Sequence, residues 1–218
     1  MGRALPNART IVNVIGFQTD EFPRVIERLD GAPVHGFELN VSCPNTKAGG
    51  TEFGADPCAL REVVSGARAV TGLPLIVKLS PTLTDIGGAA RTAVEAGADA
   101  ISVVNTIPGL AIDVEPRRPA LGYGTGGVSG PGLLPVGVLA TWKVRKATHV
   151  PIIGIGGISS VDAVLQYLIA GASLVAIGTG ALRDPRLPER LVKGLDAWCR
   201  DHGVPALSDL TGTLEWPA

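Results

Sequence analysis

The sequence lacks the features that would mark a secreted, membrane-spanning or nucleic-acid-binding chain. Its cysteines, Cys43, Cys58 and Cys199, are odd in number and form no CxxC pair. That fits a reduced, cytoplasmic compartment better than a disulfide framework or a zinc site. The opening MGRALPNART has no apolar core of the kind a signal peptide needs, and no later apolar run reaches the roughly 18 residues of a membrane span. Lys and Arg total 19 against 20 Asp and Glu, for a net charge of −1, and no basic run occurs. A phosphate backbone or anionic membrane is therefore not the expected partner, and a small molecule is. What is abundant is apolar: 45% of the 218 residues are hydrophobic and 18% charged, enough to bury a large core. The 29 glycines and 17 prolines fall between apolar runs, where they supply turns rather than a low-complexity block.

Six short runs rich in β-branched residues stand out: Thr10 to Ile15, Phe37 to Val41, Leu75 to Leu79, Ala100 to Asn105, Pro151 to Ile155 and Leu174 to Ile177. Each is nearly all apolar, which predicts burial on both faces, as in a parallel sheet covered by helices. Helical patterns lie between them. Asp56-Pro57 predicts an N-cap and first-turn proline for a helix to about Ala69; Thr84-Asp85 and Ser159 open two more, and a last helix runs from about Leu187 to Cys199. Gly97 and Gly171 repeat a helix-to-strand turn that calls for a left-handed residue.

Repeated βα units either close into a barrel or spread into a doubly wound sheet, and the pattern alone leaves both open. A closed barrel needs eight strands and typically about 250 residues. The expectation is thus a single α/β domain over 1–218 holding about six of eight βα units, two being absent before Thr10. The stretch 107–134 is too long for an ordinary connection and predicts an inserted hairpin and active-site loop.

The chemistry-bearing residues cluster where strands end. Phe37 to Val41 leads into Ser42-Cys43-Pro44-Asn45, placing a thiol and the amides of Asn40 and Asn45 at the C-terminal end of a parallel strand, where such folds keep their active sites. Lys78 interrupts the apolar run LIVKLS, and an ammonium there requires a partner. Three glycine-rich strand ends, Gly126 to Gly130, Gly154 to Ile158 and Ile177 to Gly180, expose backbone N–H groups of the kind that hold a phosphate. No GxGxxG follows a first strand, which disfavours a dinucleotide fold.

The string ELNVSCPN, followed by KAGGTEFG, resembles the signature of the class 1 dihydroorotate dehydrogenases, and Lys47-Ala48-Gly49-Gly50 resembles their 1B branch; the similarity runs from about Thr10 to the last helix. The resemblance implies a (β/α)8 TIM barrel of the FMN-linked type and oxidation of dihydroorotate to orotate in pyrimidine synthesis. It makes Cys43 the base that removes the C5 proton while C6 passes hydride to the flavin. A small buried structural thiol is the alternative there, and the favoured reading for Cys58 and Cys199. Asn40, Asn45, Asn105 and Thr106 would hold the substrate. Asn13, Asn40, Lys78, Val104, Gly130, Gly156, Gly157, Gly178 and Thr179 would hold FMN, Lys78 at the pyrimidine side of the flavin, with a structural ion pair as its alternative role. The segment Thr46 to Gly54 has the small residues of a lid.

A 1B enzyme passes electrons to a separate subunit carrying FAD and an iron–sulfur cluster, and this chain has no cysteine set for such a cluster. A homodimeric core is the expected assembly. The family's first two βα units carry a further substrate-contacting lysine and an asparagine-rich loop, for which no residues correspond here. The other readings are a catalytically inactive barrel remnant and a related flavin barrel acting on another pyrimidine.

Overall fold

The computed structural model describes residues 8–42, 44–45 and 51–217. Two compact units emerge: Met1–Leu79 with Leu83–Ser102, and Ser80–Thr82 with Val103–Ala218.

The first unit alternates strand and helix: β1 (Ile11–Val14), α1 (Glu21–Arg28), β2 (Gly36–Asn40), α2 (Pro57–Val70), β3 (Leu75–Leu79), α3 (Ile86–Glu95) and β4 (Ala100–Val103). The strands lie in the order β1-β2-β3-β4, and β2 runs parallel to both β1 and β3. Parallel pairing follows from the helix inserted between each two strands. Val14, Leu39 and Val77 stand opposite one another on one face and are buried. Leu60, Val63, Val64 and Ala67 form the buried stripe of α2, and Phe22 of α1 meets Phe53 edge-on with ring centroids 5.5 Å apart.

The local signals act as the residue types predict. Asp56 caps α2 by accepting from the Cys58 N–H at 2.9 Å, with Pro57 in the first turn; Asp85 caps α3 by accepting from Gly88 N–H at 2.8 Å. Gly97 has φ +112°, and a Cβ there would lie 2.8 Å from Arg68 Cγ. Arg68 lies against this turn because it is at work: it pairs with Asp99 at 2.9 Å and donates to the carbonyls of Thr71 and Leu73.

The second unit holds β5 (Ile152–Ile155) parallel to β6 (Leu174–Ala176), with α4 (Leu134–Ala147), α5 (Val161–Ala170), α6 (Thr179–Arg183) and α7 (Leu187–His202). Its core gathers Val164, Tyr167 and Leu168 of α5 with Leu187, Leu191 and Leu195 of α7. Within the 107–134 stretch, Ile107–Gly109 pairs antiparallel with Gly126–Val128 and Ile112–Asp113 with Arg118–Pro119.

Several expectations need correction. The cap of α5 is Ser160, not Ser159, because the Ser160 hydroxyl accepts from the N–H of Ala163 at 3.1 Å. Helix α7 continues past Cys199 to His202 and stops at Gly203, whose φ of 63° is left-handed. Cys58 is exposed rather than buried, since it sits in the first turn of α2 outside the apolar stripe. Burial on both faces holds for β3 but fails at β1 and β6, where Ile11 is 48% and Leu174 61% exposed. Among those residues no helix is long and apolar enough to cross a membrane.

Candidate functional site

The first unit assembles one polar face. Parallel register sets Asn13 beside Glu38 and Asn40 beside Lys78. Because side chains two apart along a strand share a face, all four project to the side opposite Val14, Leu39 and Val77. Glu38 holds this face together. One carboxylate oxygen accepts from Asn13 Nδ2 and the other from the fully buried Ser102 hydroxyl at 2.6 Å. Asn40 Oδ1 accepts from the Ser42 N–H at 3.3 Å, turning the chain just after β2.

Two polar groups here lack protein partners among the described residues. Lys78 is half-buried in an otherwise buried strand, with no ion pair or hydrogen bond to its ammonium. Its stem lies in the sheet while its charge stays reachable, the arrangement by which lysine avoids the full cost of burial. Ser42 Oγ is buried without a hydrogen bond. Buried polar atoms are ordinarily satisfied, so an orphan beside a strand end is where a ligand group would be accommodated.

Cys43 and Lys47-Ala48-Gly49-Gly50 lie outside the described residues, as does most of the expected lid. The backbone of Pro44–Asn45 pairs with Thr51–Glu52. The end of that lid is anchored rather than free: Phe53 is fully buried, and Gly54 N–H donates to Val41 carbonyl at 3.0 Å.

The second unit places the remaining candidates. Val104 is buried, and its N–H donates to the Ile155 carbonyl at 3.0 Å, at the end of β5. Asn105 accepts from the N–H of Thr106 at 2.9 Å, and Thr106 packs so closely on Gly127 that a Cβ there would lie 2.1 Å from its hydroxyl. Ser129 and Thr179 share a hydroxyl–hydroxyl hydrogen bond of 2.8 Å, joining two of the glycine-rich strand ends. Gly130, φ +99°, and Gly178 have nothing within 4 Å of where a Cβ would point. Gly156 and Gly157 take φ +122° and +71°, and a Cβ on Gly157 would lie 2.5 Å from the Leu134 backbone nitrogen.

Sequence reasoning missed three residues. Glu38 and Ser102 interrupt apolar strands just as Lys78 does, so the same argument applied to them would have found the pair. Tyr167 is completely buried, and its one hydroxyl proton is shared between the carbonyls of Ile155 and Gly156 at 2.9 and 2.8 Å. Burial pushes its phenol well above the usual value. Its hydroxyl and its ring fill the space where Cβ atoms on Gly137 and Gly154 would stand, at 1.9 and 2.3 Å respectively. Gly154 is therefore required by the packing of Tyr167. Among the described residues no cluster of His, Cys, Asp and Glu could hold a metal ion.

A repeating βα chain with a polar constellation at its strand ends is the layout of an α/β enzyme, barrel or doubly wound. Comparison with known proteins narrows it. The dihydroorotate dehydrogenase family model matches residues 3–198. The catalytic subunit of dihydroorotate dehydrogenase B (NAD(+)) from Pelobacter propionicus is 45% identical over 210 residues, covering 96% of this chain and 69% of that protein. A protein of Solibacter usitatus, named provisionally as dihydroorotate dehydrogenase A (fumarate), is 45% identical over 216 residues, 98% of this chain and 71% of its own. The crystal structure of the Eimeria tenella enzyme in complex with ferulenol superposes with a TM-score of 0.72 at 26% identity, over 89% of this chain and 57% of that one. The chain belongs to the dihydroorotate dehydrogenase family, flavin-dependent oxidoreductases built on the TIM barrel. It spans little more than half the length of the solved relative and about two thirds of the curated ones.

Proposed function

We propose that this chain is the catalytic polypeptide of an FMN-dependent dihydroorotate dehydrogenase that oxidises dihydroorotate to orotate in de novo pyrimidine synthesis. The observation that carries the reading is Asn40 and Lys78 standing side by side at the strand end that leads into Cys43, with no protein partner for the lysine among the described residues.

The residues present fit FMN. Lys78 is a reachable cation that suits the negative charge developing on a reduced flavin, Asn13 and Asn40 are amides able to meet a heterocycle edge, and Gly130 and Gly178 leave backbone open for close approach. Val104, Gly156, Gly157 and Thr179 complete the proposed set. When bound, FMN supplies the acceptor for the hydride leaving C6 of the substrate. The chain does the rest. Asn40, Asn45, Asn105 and Thr106 orient the planar substrate through its donors and acceptors, and the Cys43 thiolate takes the C5 proton. An unperturbed thiol ionises near pH 8.5, so the step runs faster as pH rises.

The KAGG string favours the 1B branch, and with it a homodimeric core in the cytoplasm that hands electrons to an FAD- and iron–sulfur-containing partner. The test is the visible spectrum of the purified protein, recorded before and after anaerobic dihydroorotate. Bleaching of the flavin bands, faster at alkaline pH and abolished by Cys43→Ala with flavin retained, supports the reading. A bound flavin that dihydroorotate leaves oxidised, or a protein that binds no flavin, overturns it.

A further inference from the structure

Glu38 is a half-buried carboxylate on the apolar strand β2, and it has two partners on two other strands: Asn13 on β1 and the buried Ser102 on β4. An ionised carboxylate can only accept hydrogen bonds. Facing Glu38, Asn13 must turn its NH2 inward, which aims its amide oxygen outward as the acceptor and leaves one N–H on the nitrogen, and Ser102 must spend its single proton on the carboxylate. A free asparagine would present oxygen or nitrogen with little preference; this one has its amide orientation set, with the oxygen turned away from the carboxylate. Asn13 is exposed on the face that carries Asn40 and Lys78, so a ligand can reach it.

We infer that Glu38 is a positioning residue for the cofactor: it fixes the amide of Asn13 as a hydrogen-bond acceptor, so that this face selects a ring with an N–H at its edge. The inference rests on the flavin reading of the site. The competing role is a plain structural tie among β1, β2 and β4, which predicts a different pattern of coupling.

The test is the FMN dissociation constant of the full chain, stripped of flavin and titrated with FMN while the quenching of FMN fluorescence is followed. Glu38→Gln removes the charge and lets an NH2 face Asn13, so FMN affinity is expected to fall about tenfold, the scale of one hydrogen bond to a charged group. Asn13→Ala falls by a similar factor. In the double variant the Glu38→Gln effect vanishes, because its only route to FMN has gone. Ser102→Ala, which deletes one oxygen and leaves Glu38 in place, weakens FMN binding by about threefold and is likewise silent beside Asn13→Ala. Should Glu38→Gln not fold, this second cycle reads the same coupling. Native FMN affinity in Glu38→Gln and Ser102→Ala overturns the inference. So do losses that multiply with that of Asn13→Ala, since a tie within the sheet acts independently of the amide. A parent chain that binds no FMN overturns the functional reading as well, whereas an intact parent with insensitive variants overturns the role of Glu38 alone.

Discussion

Tyr167 shows how much one residue can settle that no strand-end motif announces. Its hydroxyl spans the carbonyls of Ile155 and Gly156, at the point where β5 gives way to a glycine turn. Tyr167→Phe leaves both carbonyls, which are part-buried, with one partner fewer, at an expected cost of about 1–2 kcal/mol in urea unfolding. The phenol also carries a pH signature. Its ionisation is raised by burial in the folded state, so folding favours the protonated form. The stabilisation is complete below the unfolded tyrosine value of about 10 and declines as pH climbs above it. Unfolding free energy measured from pH 8 to 11 should therefore fall more steeply in the parent than in Tyr167→Phe; parallel curves would remove Tyr167 as the titrating group. Residue-level reading of the sequence found Lys78 by its oddity in an apolar strand. It passed over Glu38 and Ser102, equally odd, because the flanking motif drew attention to the residues that resemblance names. Tyr167 gave no such sign, since a tyrosine in an amphipathic helix is ordinary, and only the neighbouring glycines at 137 and 154 mark what it displaces.

At the scale of elements, the chain declares itself through ends more than middles. All six apolar runs are strands, each within two residues of the expected bounds. The caps at Asp56 and Asp85 fall where side-chain chemistry puts them. Asp56→Ala removes the acceptor for the N–H of Cys58, which costs about 1 kcal/mol by the usual worth of such caps. Asp56→Ser should recover most of that loss in thermal melts; failure of serine to rescue would show that charge, not capping, matters there. The choice between Ser159 and Ser160 was not legible, because two adjacent serines differ only in which hydroxyl reaches the third N–H of the helix. Nor was the exposure of Leu174 and Ile11, which depends on neighbours that a strand's own residues cannot specify. The end of α7 was underestimated: beyond Cys199 the last turn continues to His202, whose ring stacks on that of Trp198 at 4.2 Å.

For the molecule as a whole, the family was legible in the eight residues ELNVSCPN, whereas the electron acceptor rests on KAGG alone. Relatives of equal identity bear different acceptors in their names, NAD(+) for one and fumarate for the other. The 1B reading predicts that dihydroorotate-reduced protein is reoxidised by NAD only when a partner carrying FAD and an iron–sulfur cluster is added, and that fumarate reoxidises it no faster than buffer. Rapid anaerobic reoxidation by fumarate alone would assign the chain to the other branch.

The contact of Tyr167 with Gly137 and Gly154 joins three helix and strand positions, 137, 154 and 167, into a single volume shared among them. No one of the three can change size by itself without a void or an overlap. Across lineages they are free to drift only together, a larger residue on the strand or on α4 appearing where the aromatic ring has first been given up. In this chain history is constrained by order as well as by kind: the tyrosine has to leave before either glycine can grow.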